Sequence, residues 1–279
     1  MNKLPLGLFV FILISSLLPA CSQSRAIIAS FRSTDDFIPL SSDKRVLYEP
    51  GAETYASEIV LLLPEAIHKV ETAHYQPFKD AVEVYICATK ESCFRLTGNH
   101  APATVTQKLF ISPVLFQEQR PIDRYLTHEL SHLQLLQRIG TMSLIRLPAW
   151  FKEGLAEFVS GGATGSTITD EEAERAIAQG RGFVPDDGRG LLASLFSPRY
   201  GTYWGITQPL FYHQSMLFVR YLHTVDEPAF HRFLTEIQND KGFKGAMEST
   251  YHADLAALWG NYLRGINAKT SASPPALVQ

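Results

Sequence analysis

The chain has 279 residues, a formal net charge of −3 and 46% hydrophobic residues. This length is sufficient for a substantial core in one bilobed domain or in two small domains. The slightly acidic balance excludes the strongly basic surface with which nucleic-acid-binding domains hold phosphate groups. Beyond the N-terminal segment, the sequence has no apolar run of the roughly 18 residues that a membrane-spanning helix requires.

The first twenty residues have the pattern of a signal peptide. Lys3 supplies a positive charge, and the apolar run from Leu6 to Leu18 is too short to span a bilayer comfortably. The run ends in Leu18-Pro19-Ala20-Cys21. An ordinary secretory signal peptide and an uncleaved anchor are the alternatives to a lipoprotein signal.

The end of this segment resembles the bacterial lipobox, in which the cysteine becomes the lipid-bearing first residue after cleavage. The resemblance implies that residues 1–20 are removed and that acyl chains on Cys21 tether the protein to a membrane of the cell envelope. Ser22 follows instead of aspartate, and the similarity to Gram-negative sorting signals implies the periplasmic face of the outer membrane. Residues 21–40 are expected to form a tether.

The next part of the chain predicts alternating strands and helices. Each predicted strand is a short run of apolar residues, and each predicted helix repeats apolar residues every three or four positions. The elements are a strand at 45–48, a helix at 52–73 with Pro64 as a kink, a strand at 81–87, a helix at 91–96 that ends at Gly98, and a strand at 104–112.

Two cysteines in this region form a candidate pair. If Cys21 carries lipid, Cys87 and Cys93 remain together in an oxidising compartment, separated only by a short segment. This arrangement favours a disulfide between Cys87 and Cys93. Two free thiols, one of them buried, are the alternative.

The helix predicted from about residue 121 to Gly140 contains the motif His128-Glu129-Leu130-Ser131-His132. Residues four apart lie on one helix face, so His128 and His132 can bind a single metal ion. Glu129 lies beside them, where it can take a proton from a water that the metal activates. A histidine pair on a helix is also common as polar surface or as part of a core, so the remaining ligands decide the interpretation.

From Pro148 onward the sequence predicts only helices and loops. The helices are expected at 148–160, 170–179, 191–196, 208–224, 227–239, 243–250 and 252–265, and the segment 180–207 is a candidate lid. We therefore expect an α+β fold in the domain 41–265, in which a mixed strand and helix lobe (41–140) carries the motif helix and an all-helical lobe (141–265) follows. Residues 266–279 are expected to form a polar tail.

The tract Trp150-Phe151-Lys152-Glu153-Gly154-Leu155-Ala156-Glu157, together with the histidine motif, resembles the gluzincin metallopeptidases, and most closely their peptidase MA-like branch. The resemblance implies a gluzincin-like fold and one Zn²⁺ per chain, bound by His128, His132 and Glu153. It implies that Glu129 is the general base. The alternative is that Glu153 is an exposed helical carboxylate.

The same resemblance suggests three further features of the site. Glu157, one turn after Glu153, is the expected partner that orients His128. Tyr212 is expected to donate the second hydrogen bond to the substrate oxyanion. The neighbouring His213 is the alternative donor, and Tyr212 would then be a packing residue of its helix or could be one in any case. In gluzincins the strand that corresponds to 107–112 has a free edge that binds extended substrate, whereas an ordinary sheet strand is the alternative.

These features predict a lipid-anchored zinc metallopeptidase that hydrolyses peptide bonds in envelope proteins or peptides. The sequence lacks the Gly-x-Met-Glu-Asn-like tract of the related aminopeptidases, which favours an endopeptidase or an enzyme of narrow specificity. The competing hypothesis is a non-catalytic envelope-assembly or chaperone-like lipoprotein that retains a gluzincin fold. The other six histidines, His68, His74, His100, His223, His231 and His252, have no ligand spacing and are expected on the surface or in the core.

Overall fold

The computed structural model describes residues 32–163 and 168–272. The predicted signal peptide and the lipidation site Cys21 lie outside these residues. None of the helices in the described part of the chain is both long and apolar enough to cross a membrane. The described residues form a mixed α and β fold, which is largely helical and contains one small five-stranded sheet. This fold is consistent with the expected α+β class.

The chain divides into two compact units, and the first boundary falls inside a long helix. The first unit contains the described residues up to Leu62 and then Ala81–Arg120. The second contains Leu63–Asp80 and everything described from Pro121 onward. The histidine-motif helix therefore groups with the helical unit, whereas the sequence pattern predicts it in the mixed lobe that ends at residue 140.

The first unit contains the whole sheet seen in the described residues. Its strands lie in the order β1-β2-β3-β5-β4; β2, β3 and β5 run parallel, and the two outer strands run antiparallel to their neighbours. The strands are β1 (Ile38–Pro39), β2 (Val46–Tyr48), β3 (Val84–Ile86), β4 (Ala103–Val105) and β5 (Leu109–Ile111). Three helices accompany them: α1 (Glu53–His74, shared with the second unit), α2 (Lys90–Thr97) and α3 (Val114–Gln117).

The strand predicted at 104–112 is wrong in two respects. It is a pair of antiparallel strands, β4 and β5, because the chain reverses between Val105 and Leu109 and Thr106 donates a backbone hydrogen bond to Lys108. The segment 107–112 also has no free edge, since β5 pairs with β3 on one side and β4 on the other. The edge strand on this side of the sheet is β4.

One face of the sheet carries a small apolar cluster, which consists of Phe37, Tyr85, Cys87, Cys93, Leu96 and Phe110. Phe37 belongs to the segment predicted as a tether, so the packed fold begins earlier than residue 41. Cys87 and Cys93 are buried free thiols, and the disulfide favoured by the sequence is not formed in this structure. Hydrogen bonding to Cys93, together with burial, raises the pKa of the Cys87 thiol.

The second unit is helical throughout its described residues. Its helices are α4 (Ile122–Arg146), α5 (Ala149–Ser160), α6 (Asp170–Ala178), α7 (Leu191–Phe196), α8 (Gln208–Val225), α9 (Glu227–Gln238), α10 (Phe243–Tyr251) and α11 (Leu255–Ala272). Within α4, Gly140 leaves the helical conformation with a φ of 72°, which confirms the predicted end of the motif helix there. Helix α11 continues seven residues into the predicted tail, and residues 273–279 lie outside the described chain.

Aromatic residues form the core of the second unit around α5. Trp150 and Phe151 are buried and contact Phe218 of α8, Phe233 of α9 and Phe243 of α10. Aromatic pairs of this kind add about 0.5–1.5 kcal/mol each beyond the area that they bury. The core therefore fixes the position of the helix that carries Glu153.

Candidate metal centre

Helix α4 places the two motif histidines on one face. His128 is buried, His132 is half-buried, and their Nε2 atoms lie 3.2 Å apart. The spacing of four residues produces this arrangement because it advances the helix by about one turn.

Helix α5 adds a third ligand to this pair. The Oε2 atom of Glu153 lies 3.5 Å from Nε2 of His128 and 3.4 Å from Nε2 of His132. Glu153 is 8% exposed, so it is not the exposed helical carboxylate that was the alternative interpretation. The three side chains form a group of the kind that can hold a metal ion.

The separations of the three atoms fit a tetrahedral metal site. Four ligands at zinc–nitrogen and zinc–oxygen distances of about 2.0–2.1 Å would lie about 3.3 Å from one another at the corners of a tetrahedron. The observed separations of 3.2, 3.4 and 3.5 Å are close to that edge length. Three protein ligands leave one corner for water or substrate, which is the arrangement of a catalytic site.

The charges around the three ligands favour a cation between them. Burial alone would lower the pKa of His128, but the adjacent carboxylates of Glu153 and Glu157 and the charge of Glu129 outweigh it and raise the pKa to about 10. Burial alone would raise the pKa of Glu153, but His132 and His128 lower it. The cluster thus retains a proton at neutral pH, and a metal ion would replace that proton.

Glu157 holds His128 from the side opposite the metal position. Its Oε1 atom lies 3.1 Å from Nδ1 of His128, and its Oε2 atom accepts a hydrogen bond of 2.8 Å from the backbone N–H of Ala163. Glu157 is only 2% exposed. When the single proton of a neutral His128 is on Nδ1, facing this carboxylate, the lone pair of Nε2 is directed to the candidate metal position. Favouring this form of the ring is the role expected of Glu157.

Glu129 and Tyr212 also lie at this cluster. Glu129 is half-buried, and its negative charge contributes to raising the pKa of both His128 and Tyr212. The Tyr212 ring centroid is 6.3 Å from that of His128. Burial, followed by the charge of Glu153, raises the pKa of Tyr212 well above its ordinary value, so the hydroxyl stays protonated and can donate.

His213 does not share the surroundings of Tyr212. Its Nε2 atom lies 2.9 Å from Oδ1 of Asp170, at the start of α6. The same Asp170 carboxylate also forms an ion pair with Arg220, another residue of α8. The structure therefore holds the His213 ring against α6, and Tyr212 is the better placed of the two candidate donors.

Tyr200 is a member of the site that the sequence analysis missed. It precedes the 3₁₀ turn Gly201–Trp204, inside the segment named as a candidate lid, and its hydroxyl lies 3.5 Å from Oε1 of Glu153. Burial and the charge of Glu153 raise its pKa, so it remains a donor. The only sequence signal was the aromatic content of 180–207, which does not identify one tyrosine.

A buried histidine supports the motif helix from another side. His74, at the end of α1, is fully buried, and its Nε2 atom lies 2.8 Å from Oγ of Ser131. Burial lowers the pKa of His74 to about 3, so the ring is neutral. His74 was expected to be a surface or core residue, and its position between α1 and α4 is a core position.

Gly154 allows α5 and α8 to approach each other closely. A Cβ atom at this position would lie 2.5 Å from the backbone oxygen of Ser215, far inside normal contact. The glycine directly follows Glu153, and Ser215 lies three residues after Tyr212. The contact therefore sets the separation of the helices that carry the ligand and the candidate donor.

No protein-family model matches the chain, and comparisons with curated proteins and with solved structures gave no match. The case for a metal centre therefore rests on the geometry and charge of the cluster itself. The likeness to gluzincins rests on the two sequence motifs that supply its ligands.

Proposed function

We propose that this protein is a zinc-dependent peptidase of the gluzincin type. The observation that carries the proposal is the near-tetrahedral spacing of His128, His132 and Glu153 beside Glu129. Two imidazoles and one carboxylate suit zinc, and an open fourth position suits catalysis better than a purely structural role. A neighbouring carboxylate that is not a ligand is what hydrolysis requires of a general base.

A zinc ion bound by His128, His132 and Glu153 would supply Lewis acidity to polarise a substrate carbonyl and to make a water molecule more acidic. Glu129 takes the proton of the attacking water and delivers it to the leaving amine. His128 keeps its Nε2 atom available because Glu157 holds the opposite nitrogen. Burial of the ligands excludes bulk water and strengthens each of these electrostatic interactions.

Tyr212 donates a hydrogen bond to the oxygen that gains negative charge as the carbonyl is attacked. Its raised pKa supports this role, because a protonated hydroxyl is required over the whole working pH range. The pairing of His213 with Asp170 argues against the alternative donor.

The location and the substrate class are further parts of the proposal. The lipobox-like sequence that ends at Cys21 supports lipid anchoring at the cell envelope, on the periplasmic face of the outer membrane. Substrates are then envelope proteins or peptides. The missing aminopeptidase tract favours endopeptidase action.

The substitution Glu129→Gln separates this proposal from a non-catalytic envelope factor. The variant should retain one zinc per chain, since the three ligands are untouched, but lose hydrolysis by about 10²–10⁴-fold. Metal analysis of both purified proteins and rescue of a deletion strain are the measurements. Wild-type protein that binds no zinc would refute the proposal, and full rescue by Glu129→Gln would favour the binding or assembly role.

A further inference from the structure

The two oxygens of Glu153 have different partners. Oε2 faces the Nε2 atoms of both motif histidines, at 3.5 and 3.4 Å. Oε1 faces the hydroxyl of Tyr200, at 3.5 Å. A carboxylate can bind a metal through one oxygen or through both, and the choice determines how many positions remain for water and substrate.

We propose that Tyr200 is a positioning residue that holds Oε1 of Glu153 away from the metal, so that the carboxylate binds through Oε2 alone. This inference rests on the proposed zinc site. The hydroxyl of Tyr200 donates to Oε1, and that oxygen is then less available as a second ligand. One coordination position is thereby kept for the reacting water or carbonyl.

The backbone around Tyr200 is fixed tightly enough for this role. A Cβ at Gly201 would lie 2.9 Å from the backbone oxygens of Ile206 and Thr207, so the turn closes on itself without room for a side chain. Ile206 donates a backbone hydrogen bond of 3.0 Å to Gly201. Gln208, at the start of α8, accepts a bond of 3.3 Å from the N–H of Gly201. The turn is thus held to the helix that carries Tyr212.

Gln208 links the two tyrosines of the site. Besides accepting from Gly201, its side chain acts to lower the pKa of Tyr212, against the larger effect of burial. Tyr200 contacts the ligand Glu153, whereas Tyr212 has its ring beside His128. The geometry assigns different tasks to them: Tyr200 orients a ligand, and Tyr212 contacts the substrate.

The test compares three single substitutions, Tyr200→Phe, Tyr212→Phe and Tyr203→Phe, in the full chain. Tyr203 is the matched control because it lies in the same turn, is 51% exposed and packs against Trp204. Zinc affinity is measured by competition with a chelating dye. The visible spectrum of the cobalt-substituted protein is recorded as a second readout, because it reports the coordination number of the metal.

Tyr200→Phe should weaken zinc binding by about 10- to 100-fold, which is the usual effect of removing a residue that hydrogen-bonds a metal ligand. Its cobalt spectrum should change toward higher coordination as Oε1 becomes a ligand. Tyr212→Phe should keep the wild-type affinity and spectrum but lower kcat, and Tyr203→Phe should change none of these quantities.

Wild-type affinity together with a wild-type cobalt spectrum in Tyr200→Phe would overturn the inference while leaving the zinc peptidase proposal intact. If wild-type protein itself binds no zinc, the proposed function fails instead. A change in thermal stability of Tyr200→Phe without any change in affinity or spectrum would mean that the tyrosine is only structural, and would also overturn the inference.

Discussion

The Nδ1 atom of His128 lies 3.1 Å from Oε1 of Glu157, on the side of the ring opposite the metal position. The contact joins α4 and α5 directly behind the ligand set, and both side chains are nearly excluded from solvent. The carboxylate faces Nδ1, and in the neutral ring this favours a proton on Nδ1 and leaves Nε2 available to a metal. At the proposed zinc site, metal affinity should therefore depend on a carboxylate that is not itself one of the candidate ligands.

Glu157→Gln should weaken zinc binding by about 10- to 100-fold, because a neutral amide holds the Nδ1 proton less strongly and makes Nε2 a poorer donor. Competition with a chelating dye measures the change. Glu129→Gln is the control, since it removes a nearby carboxylate of the same size that is not a ligand partner. Equal losses in both variants would show that general negative charge, and not the contact with Nδ1, determines affinity.

Gly154→Ala should destabilise the protein by about 1–3 kcal/mol, the usual cost of overpacking, because its methyl group would collide with the backbone of Ser215. Gly265→Ala on α11 is the matched control, since nothing lies within 4 Å of the added Cβ. An exposed helical glycine replaced by alanine gains up to about 1 kcal/mol. Urea denaturation of both variants provides the comparison, and a Gly154→Ala protein as stable as wild type would contradict the close helix contact.

Zinc affinity should rise with pH across the neutral range. His128 has a pKa of about 10 in the metal-free protein, so it is protonated at neutral pH and must lose that proton to bind metal. Because proton competition weakens as pH rises, the apparent affinity should increase by about tenfold per pH unit between roughly pH 7 and 9. Titration calorimetry in buffers of different ionisation enthalpy should detect about one proton released per zinc. An affinity independent of pH would contradict the charge arrangement of the cluster.

The metal-free protein should lose stability as pH falls below about 6.5, and His74 should contribute to the loss. Its pKa is lowered by burial to about 3 from 6.5, so in this pH range the unfolded chain binds a proton that the folded chain does not. The free energy of unfolding should therefore fall by up to about 1.4 kcal/mol per pH unit from this group.

The substitution His74→Gln tests this assignment, because glutamine can hydrogen-bond Ser131 but does not titrate. Denaturation with a chelator present, at several pH values between roughly 4 and 7, gives the slope for each protein. Other titrating groups are common to both proteins and cancel in the comparison. Identical slopes would show that His74 is not the responsible group.

The candidate ligands could be predicted from sequence, the two histidines by their helical spacing and Glu153 through the resemblance of its motif to the gluzincins. The spacing of His128 and His132 dictates a shared helix face, and Glu153 lies in a second motif whose helix begins after Pro148. Helical periodicity places Glu157 on the same face as Glu153, and the resemblance supplies its expected role. The positions of these residues depend on spacing along single helices and on the packing of two consecutive helices, α4 and α5.

Tyr200 and Gly154 could not be identified in this way. Tyr200 reaches Glu153 through an irregular turn, and no periodicity describes where such a turn directs a side chain. The role of Gly154 depends on a contact with Ser215, which is distant in sequence. The β4–β5 reversal was missed for a related reason, since apolar residues on both sides of a short turn appear as one continuous strand.

The most direct test of the central claim is cleavage of a mixed peptide library by the zinc-loaded protein and by its Glu129→Gln variant, analysed by mass spectrometry. The account predicts internal cleavage by the wild-type protein and a loss of about 10²-fold or more in the variant, although both bind one zinc. Absence of cleavage by the wild-type protein, or equal cleavage by the two proteins, would contradict it.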